Sequence, residues 1–465
     1  MREWVATVGT ALFIVVLTAW MPACSSDGGG GVPDEMDSGF DFSTEALTFT
    51  NFTDEDPTGS LKPALVARMF GEDKACVDGK LPCVLTDFAR AWVDDVNRTL
   101  AEGRSEGFAL TTLLFHTGEL DTKDFGADTA AELVLAGNQP LRDELAYWAA
   151  TQKVPSTYEG DKRFAAKDVM PFLAKALAPN ATERYRLAIA IKTENGFERG
   201  HGLVPIGYYR VGEKKYVLRV YDNNLPQSER NLEIDVAKNT WRYEAPVGET
   251  PLVYEGNTEN KNVLYFAPLS KRMGTLAPPF GDDTDAIFAS SAGAIQVAVM
   301  QDGAATGIVD GEVVEGPGGV VQPAFATCPI CKASSGILNI KAGWAPLGQT
   351  EIAVSNGIAS GSGMEKDGAT VNIAHGYTTT TLKGIKGDAN TQTTLTLDNK
   401  TGNVTLKTAS MEPVDITHTA GGVVTHVVVA GGATEVKVGV DDKGRPVIDT
   451  TGVPAGTTVT VEVET

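Results

Sequence analysis

Residues 199–243 read RGHGLVPIGYYRVGEKKYVLRVYDNNLPQSERNLEIDVAKNTWRY. Apolar and polar side chains alternate along this stretch and turn residues interrupt it, which predicts consecutive antiparallel strands. A simple turn centred after Gly212 would place position 201 opposite position 224. Because side chains alternate between the two faces of a sheet, we expect Asp222 and Asn224 to share the face of His201. A histidine beside a carboxylate or an amide is the base-and-orienter half of a catalytic triad.

The chain before this stretch has helical periodicity. From about residue 61, apolar side chains recur at three- and four-residue spacing in five runs. The predicted helices are LKPALVARMFG, VLTDFARAWVDDVNRTLAEG, EGFALTTLLFHTG, TAAELVLAG and PLRDELAYWAATQ. Near residue 185 the period changes to two. Helices followed by antiparallel strands predict an α+β domain, which we place at residues 61–270.

The sequence of residues 271–465 predicts only strands. Residues 271–332 contain two Asp-Gly turns and predict a small β meander. Residues 333–465 consist of short Val- and Thr-rich segments separated by Gly, Asp and Asn turns, and Tyr377 is the only aromatic residue past Trp344. This composition predicts a β-sandwich-like module with a thin core, typical of an interaction or spacer module. The expected fold class is multidomain, an α+β domain followed by all-β C-terminal modules.

The N-terminal segment predicts export and lipid anchoring. A positive charge at Arg2 precedes the apolar run WVATVGTALFIVVLTAW, which ends at MPAC. We interpret residues 1–23 as a lipoprotein signal peptide and Cys24 as the lipidated residue, although the usual motif has Leu where this chain has Met21. Residues 24–60 are acidic and Gly-rich and predict a disordered tether. An ordinary cleaved signal and a membrane anchor are the alternatives.

This interpretation places the protein in the bacterial cell envelope, held by lipid at the outer membrane or the cell surface. No later segment is apolar over the ~20 residues that a spanning helix needs, so we expect the body of the protein to be soluble. The formal net charge of −21 argues against nucleic acid and anionic lipid as direct ligands.

The remaining four cysteines form two pairs that are close in sequence. Cys76 and Cys83 flank a Gly/Pro turn, and Cys328 and Cys331 form the motif CPIC. In an oxidising compartment, two local disulfides are the simplest interpretation. A structural zinc site needs four ligands, and a thioredoxin-like redox motif lies between a strand and a helix, whereas CPIC has neither context. We therefore expect no metal, no cofactor and no free cysteine nucleophile.

The stretch GRSEGFALTTLLF, residues 103–115, places Ser105 between a Gly-bounded turn and an apolar helix. The Ser105 hydroxyl can cap the helix, can mark the place of a lost nucleophile, or can be a working nucleophile. Glu106 adds a negative charge that favours a helix N-terminus. The same charge would oppose an oxyanion if it pointed inward.

The order of these motifs resembles the papain-like cysteine peptidase fold. In that family a Cys begins the central helix, a His begins a later strand, and an Asn or Asp orients the His. The segments GHGLVPIGYY, YVLRVYDNN and NTWRY are similar to the His-containing sheet of bacterial exported papain-like proteins, within residues 61–270. The resemblance implies Ser105 at the nucleophile position, His201 as the base, and Asp222 or Asn224 as the orienter.

Two parts of the family's site differ in this chain. Serine cannot form the thiolate–imidazolium pair that activates cysteine, although a Ser–His–Asp arrangement can work by general-base catalysis. Papain-like sites also take an oxyanion donor from a Gln upstream of the nucleophile. The corresponding run, VDDVNRTLAEGR, has Asn97 as its only side-chain amide.

These features together predict a membrane-anchored bacterial lipoprotein. Its papain-like domain is expected to be catalytically impaired and to bind a peptide or protein, and its β-rich modules are expected to mediate interactions. One alternative is an active peptidase or other hydrolase that uses Ser105, His201 and Asp222. Another is an envelope scaffold or adhesion protein that acts through the β-rich tail.

Overall fold

The computed structural model describes residues 32–53, 59–193, 196–226, 228–246, 251–279, 286–292, 296–301, 304–309, 312–316, 320–323, 337–343, 349–355, 369–375, 378–385, 393–398, 401, 403–408, 413–420, 423–430, 434–441, 443 and 445–464. The helices within these residues are α1 (Phe42–Glu45), α2 (Pro63–Phe70), α3 (Glu72–Ala75), α4 (Asp87–Ala101), α5 (Ser105–Thr117), α6 (Gln139–Ala150) and α7 (Met170–Ala176).

The strands fall into an N-terminal and a C-terminal set. The N-terminal set is β1 (Glu35–Asp37), β2 (Lys162–Phe164), β3 (Tyr185–Thr193), β4 (Gly196–Gly212), β5 (Lys215–Tyr221), β6 (Arg230–Asp235), β7 (Thr240–Ala245), β8 (Leu252–Gly256) and β9 (Leu264–Pro268). The C-terminal set is β10 (Ala286–Ala292), β11 (Gln296–Gln301), β12 (Ala304–Val309), β13 (Glu312–Val314), β14 (Val320–Pro323), β15 (Ile337–Gly343), β16 (Gln349–Ser355), β17 (Ala369–His375), β18 (Thr378–Ile385), β19 (Thr393–Asp398), β20 (Val404–Thr408), β21 (Val414–Ala420), β22 (Val423–Ala430), β23 (Thr434–Val440), β24 (Pro446–Gly452) and β25 (Thr458–Glu464).

Helix α5 is the centre of the N-terminal half. Its residues are buried up to Phe115, as expected for a helix that packs on all sides. Helices α2, α4 and α6 share its core, and Val204 and Tyr221 of the sheet join the same core. Gly107 allows a close approach to α6, because a Cβ at this position would lie 2.0 Å from the carbonyl oxygen of Leu145. The position of α5 is therefore fixed against both α6 and the sheet.

One of the five predicted helices is wrong. TAAELVLAG forms only a short 3-10 helix at Ala130–Glu132 and then turns at Gly137, whose φ is 73°. Leu133 is buried, but Val134 is 64% exposed, so the apolar residues of this run do not share one face. The other four runs correspond to α2, α4, α5 and α6.

The N-terminal strands form a nine-stranded sheet. Its order is β2-β9-β3-β4-β5-β6-β7-β8, and β1 pairs with β4. β8 also lies against β3, so the sheet curls. Leu218, Leu232 and Tyr243 fill a second core together with Leu173 of α7.

The β4–β5 hairpin has the expected register near His201, but its turn lies at a different position from the one expected. Gly212 pairs with Lys215, so the turn is centred after Glu213, one residue later than expected. Two β-bulges within the hairpin then shift the pairing, so that Val204 lies opposite Tyr221. This is the register that places position 201 opposite position 224. The bulges compensate for the later position of the turn.

The expectation that residues 24–60 form a disordered tether is wrong for residues 32–53. Strand β1 pairs with β4, and Leu47 is fully buried. The Tyr221 hydroxyl donates a hydrogen bond to the carbonyl oxygen of Leu47 at 3.0 Å. Phe49 and Phe52 pack edge-on against Phe108. Apolar side chains scattered among the acidic ones thus complete the core around α5.

The first domain is correspondingly longer than residues 61–270. It begins with residues 32–53 and continues to at least Leu276, whose N–H donates to the carbonyl oxygen of Met69 at 2.8 Å. Leu276 also belongs to the buried core around α5.

The C-terminal strands form two eight-stranded sheets. Their orders are β14-β15-β10-β17-β18-β21-β22-β25 and β13-β12-β11-β16-β19-β20-β23-β24. Val299, Val371, Leu395 and Val436 belong to one shared core, so the two sheets pack as a sandwich. Strand β10 pairs with β15 and β17, and strand β11 pairs with β16. The expected boundary between residues 332 and 333 is therefore wrong, because strands from both sides of it share the same sheets.

The architecture is thus a mixed α/β domain followed by a β-rich region. The structure contains the Cys76–Cys83 disulfide. Cys24, Cys328 and Cys331 lie outside the described residues, as does the expected signal peptide at residues 1–23. Within the described part of the chain, no helix has the length and apolarity needed to cross a membrane.

Candidate functional site

Strand β4 passes directly against the first turn of α5. The hydroxyl oxygen of Ser105 accepts a hydrogen bond from the backbone N–H of Gly202 at 3.3 Å. Gly202 has little room for a side chain, because a Cβ there would lie 3.2 Å from the Ser105 carbonyl oxygen. Asn223 Nδ2 donates to the carbonyl oxygens of Ser105 at 3.1 Å and of Gly202 at 3.0 Å. The start of α5 is therefore joined to the residue that follows His201.

The interpretation of Ser105 as the cap of α5 is wrong. Ser105 is the first helical residue, and Arg104 holds the N-cap position without a side-chain capping bond. The Ser105 hydroxyl bonds to β4. Its position depends on the contact between helix and sheet, which helix-capping patterns do not encode.

His201 and Asp222 form a buried pair. His201 Nε2 lies 2.7 Å from Asp222 Oδ1, and both side chains are fully buried. Asp222 also accepts hydrogen bonds from the Tyr243 hydroxyl and, at 2.8 Å, from the N–H of Asn224. Burial raises the pKa of Asp222, but the charge of His201 and these hydrogen bonds outweigh burial and hold the pKa below its usual value. An ionised carboxylate only accepts hydrogen bonds, so we assign the proton to His201 Nε2.

Tyr243 remains protonated beside this carboxylate. Burial and the charge of Asp222 raise the pKa of the Tyr243 hydroxyl well above its usual value. The hydroxyl therefore acts as a donor to Asp222 throughout the neutral pH range. Tyr243 lies on β7, two strands away from β5, so the sheet itself positions it.

Asn224 contacts the His201 ring and connects it to the segment of residues 32–53. Its Nδ2 lies 3.3 Å from both ring nitrogens. Its Oδ1 accepts from Asn51 Nδ2 at 3.1 Å, which defines the amide end that faces the ring. Asn51 also accepts from the N–H of Arg104 at 2.7 Å, and its own N–H donates to the carbonyl oxygen of Asn223 at 2.8 Å. The segment of residues 32–53 thus bonds to both the residues that follow β5 and the start of α5.

Glu106 points inward, where two arginines neutralise it. Its Oε1 lies 2.8 Å from Nη2 of Arg186 and 2.8 Å from Nη2 of Arg272, and all three side chains are fully buried. Asp161 is a second carboxylate near these arginines. Burial raises the pKa of Asp161 to about 6, although the charges of Arg186 and Arg272 lower it. The acidic residue next to Ser105 is therefore part of an ion-pair network.

Asn97 has a structural hydrogen bond. Its Oδ1 accepts from the N–H of Leu61 at 2.8 Å, which connects α4 to the segment before α2. Asn97, the side-chain amide considered as an oxyanion donor, is buried and is held in place through its oxygen.

The predicted site is enclosed. Ser105, His201 and Asp222 are 0% exposed, and Asn224 is 2% exposed. Two cavities in the described residues lie elsewhere: a small one beside His116, and one of about 600 Å³ over β5–β8. A ligand can reach the His201–Asp222 pair only after a local rearrangement.

Comparison with family models, with curated proteins and with solved structures gave no match.

Three other histidines have local partners. His116 Nδ1 lies 3.0 Å from Glu45 Oε2, and His418 and His426 contact the hydroxyls of Thr380 and Thr417. In the described residues, no group of three or more His, Cys, Asp and Glu side chains could hold a metal ion.

Sequence reasoning missed several residues that build this site. Asn51, Asn223 and Tyr243 bond directly to it, and Arg186 and Arg272 neutralise Glu106. NTWRY includes Tyr243, but alternation alone does not show that its hydroxyl reaches Asp222. The two arginines carry no local signal, because they lie far from Glu106 in sequence.

Proposed function

We propose that the first domain is papain-like, that Ser105 stands where the family has its cysteine, and that the domain binds a peptide or protein without cleaving it. One observation carries this proposal. An oriented His201–Asp222 pair lies beside the helix start, where the hydroxyl is fully buried and accepts the N–H of Gly202. A serine nucleophile must give its proton to the imidazole and meet the substrate, and a fully buried hydroxyl meets no substrate without a local rearrangement.

The Ser105→Cys variant tests whether the first domain is papain-like. An imidazole and a helix N-terminus both stabilise a thiolate, so the new thiol should be ionised at pH 6, well below the ordinary thiol pKa of about 8.5. Thr111→Cys is the matched control, because Thr111 is equally buried on the same helix. Ionisation is followed by the ultraviolet absorbance of the thiolate as a function of pH on the chain from residue 25 onward, so no reagent has to enter the buried site. Equal titration midpoints for the two thiols would contradict a papain-like scaffold.

The active-hydrolase alternative is decided with the same material. The His201–Asp222 pair favours that alternative, since general-base catalysis by serine needs such a pair. We expect a fluorophosphonate probe to leave the unchanged chain unlabelled. Labelling that disappears in Ser105→Ala would overturn the impaired-enzyme proposal.

Peptide binding is tested by selection from a random peptide library. Sequences enriched on the intact protein should also bind Ser105→Ala, because recognition by an impaired site does not need the hydroxyl. A selection that yields no binder contradicts the proposal that the domain binds peptides. Loss of every binder in Ser105→Ala would contradict a merely positional role for the serine.

We further propose that the protein is anchored in the bacterial envelope by lipid on Cys24. The apolar run ending at MPAC supports this proposal. In a bacterial host, the protein should partition with membranes and carry lipid mass on its N-terminal peptide, whereas Cys24→Ser should lose that mass. Membrane association without lipid on the unchanged chain would favour the uncleaved-anchor alternative.

A further inference from the structure

Strand β25 is an unpaired edge of the first sandwich sheet within the described residues. On its inner side it pairs with β22, where Val459, Val461 and Val463 lie opposite Val429, Val427 and Thr425. Those three β22 residues are buried, so the valines of β25 continue the core face of the sheet. The other edge of β25 presents backbone N–H and C=O groups that can pair with another strand.

Two of the three valines of β25 continue the core row without being covered. Val461 is 38% exposed and Val463 is 40% exposed, whereas Val427 opposite Val461 is 0% exposed. Only Val459 packs, partly buried, against the sandwich core. An apolar row at a free strand edge is a site for strand addition, and the occupant must continue both the backbone ladder and the apolar face.

We propose that the occupant is β25 of a second copy of this chain, in an antiparallel pair centred on Val461. This register pairs all seven residues of the strand, because Thr458 meets Glu464, Val459 meets Val463 and Thr460 meets Glu462. The dyad is perpendicular to the sheet, so both valine faces lie on the core side. A sheet of sixteen strands, twice the eight of one copy, results.

Charge and side-chain alternation select this partner and this register. Glu462 and Glu464 meet threonines rather than each other, so no like charges lie directly opposite. A register shifted by one residue would place valine opposite glutamate and mix the core face with the outer face. A register centred on Glu462 would bring two glutamates together.

Molar mass in solution tests the proposal. At about 100 μM a dimer of micromolar Kd is saturated, so the chain from residue 25 onward should then have twice its monomer mass by light scattering. Val461→Lys brings two ammonium groups together on the dyad and should give the monomer mass. Val447→Lys is the matched control, because Val447 is 42% exposed on β24, the edge strand of the other sheet. This variant should remain dimeric.

A charge-swap mixture makes the register falsifiable. Val461→Lys and Val461→Glu should each be monomeric alone, and their equimolar mixture should regain the dimer mass because opposite charges meet on the dyad. This rescue also excludes misfolding as the cause of either loss. A monomeric unchanged chain at all concentrations overturns the proposal. A dimer that survives Val461→Lys, or a mixture that stays monomeric, overturns it as well.

Discussion

Glu106→Gln should destabilise the first domain by about 3–5 kcal/mol, the usual cost of removing one partner from a buried ion pair. Glu106 contacts Arg186 and Arg272 within ion-pair distance, and neither arginine is exposed. Glutamine keeps the size of the side chain but removes its charge. Two guanidinium groups then remain in a low-dielectric environment with Asp161 as the nearby carboxylate.

The measurement is guanidinium-induced unfolding at pH 7.5, followed by the fluorescence of the buried Trp92, Trp148 and Trp241. Glu144→Gln is the matched control. Glu144 also pairs with an arginine, but its partner Arg68 is 43% exposed and can be hydrated after the change. We expect a cost of about 1 kcal/mol for this partly exposed pair. Equal losses in the two variants would show that the Glu106 network does not depend on burial.

The pH dependence of the unchanged protein follows from Asp161. Its pKa is raised to about 6 in the folded state, whereas an unfolded Asp titrates near 3.9. Between these values the folded state holds the extra proton, so the Asp161 contribution to stability falls as pH rises from about 4 to 6 and is constant above that range. The arginines beside it limit the size of this loss, since their charges favour the ionised carboxylate.

The sequence predicts the local parts of this fold better than their contacts. Alternation along residues 199–243 locates β4 to β7, and three-and-four spacing locates α5, because each pattern is set by residues close in the chain. The register at His201 required two bulges that no turn signal shows. The acidic composition of residues 24–60 hid the few apolar side chains that fill the core, among them Leu47 and Phe49.

The candidate site likewise combines features set by local sequence patterns with features set by tertiary contacts. The face shared by His201, Asp222 and Asn224 follows from the period of two, and the structure places these side chains in contact. The hydrogen bond between Ser105 and Gly202 depends on how a helix packs against a strand almost a hundred residues later. Partners that meet only through tertiary packing leave no regular spacing in the sequence.

Asp222→Asn should cost about 3–5 kcal/mol of stability above pH 5, because it removes the charged member of a buried pair. The carboxylate accepts from His201 Nε2, from the Tyr243 hydroxyl and from the Asn224 N–H. Asparagine has only one accepting oxygen, so at least one of these donors then faces an amide N–H₂ group. The loss is measured by guanidinium-induced unfolding, and ¹⁵N NMR of the imidazole reports whether His201 Nε2 keeps its proton.

Tyr243→Phe is the control that separates the pair from a single hydrogen bond, because it removes one donor and leaves the carboxylate with His201. Its cost should be about 1 kcal/mol. The pKa of Asp222 is lowered in the folded state, so its stabilising effect is complete above the unfolded value of about 3.9 and is lost as pH falls through the folded pKa. The difference between the unchanged chain and Asp222→Asn should therefore shrink below pH 4. A loss no greater than that of Tyr243→Phe, or a difference that does not change with pH, would show that Asp222 is not the ionised partner of His201.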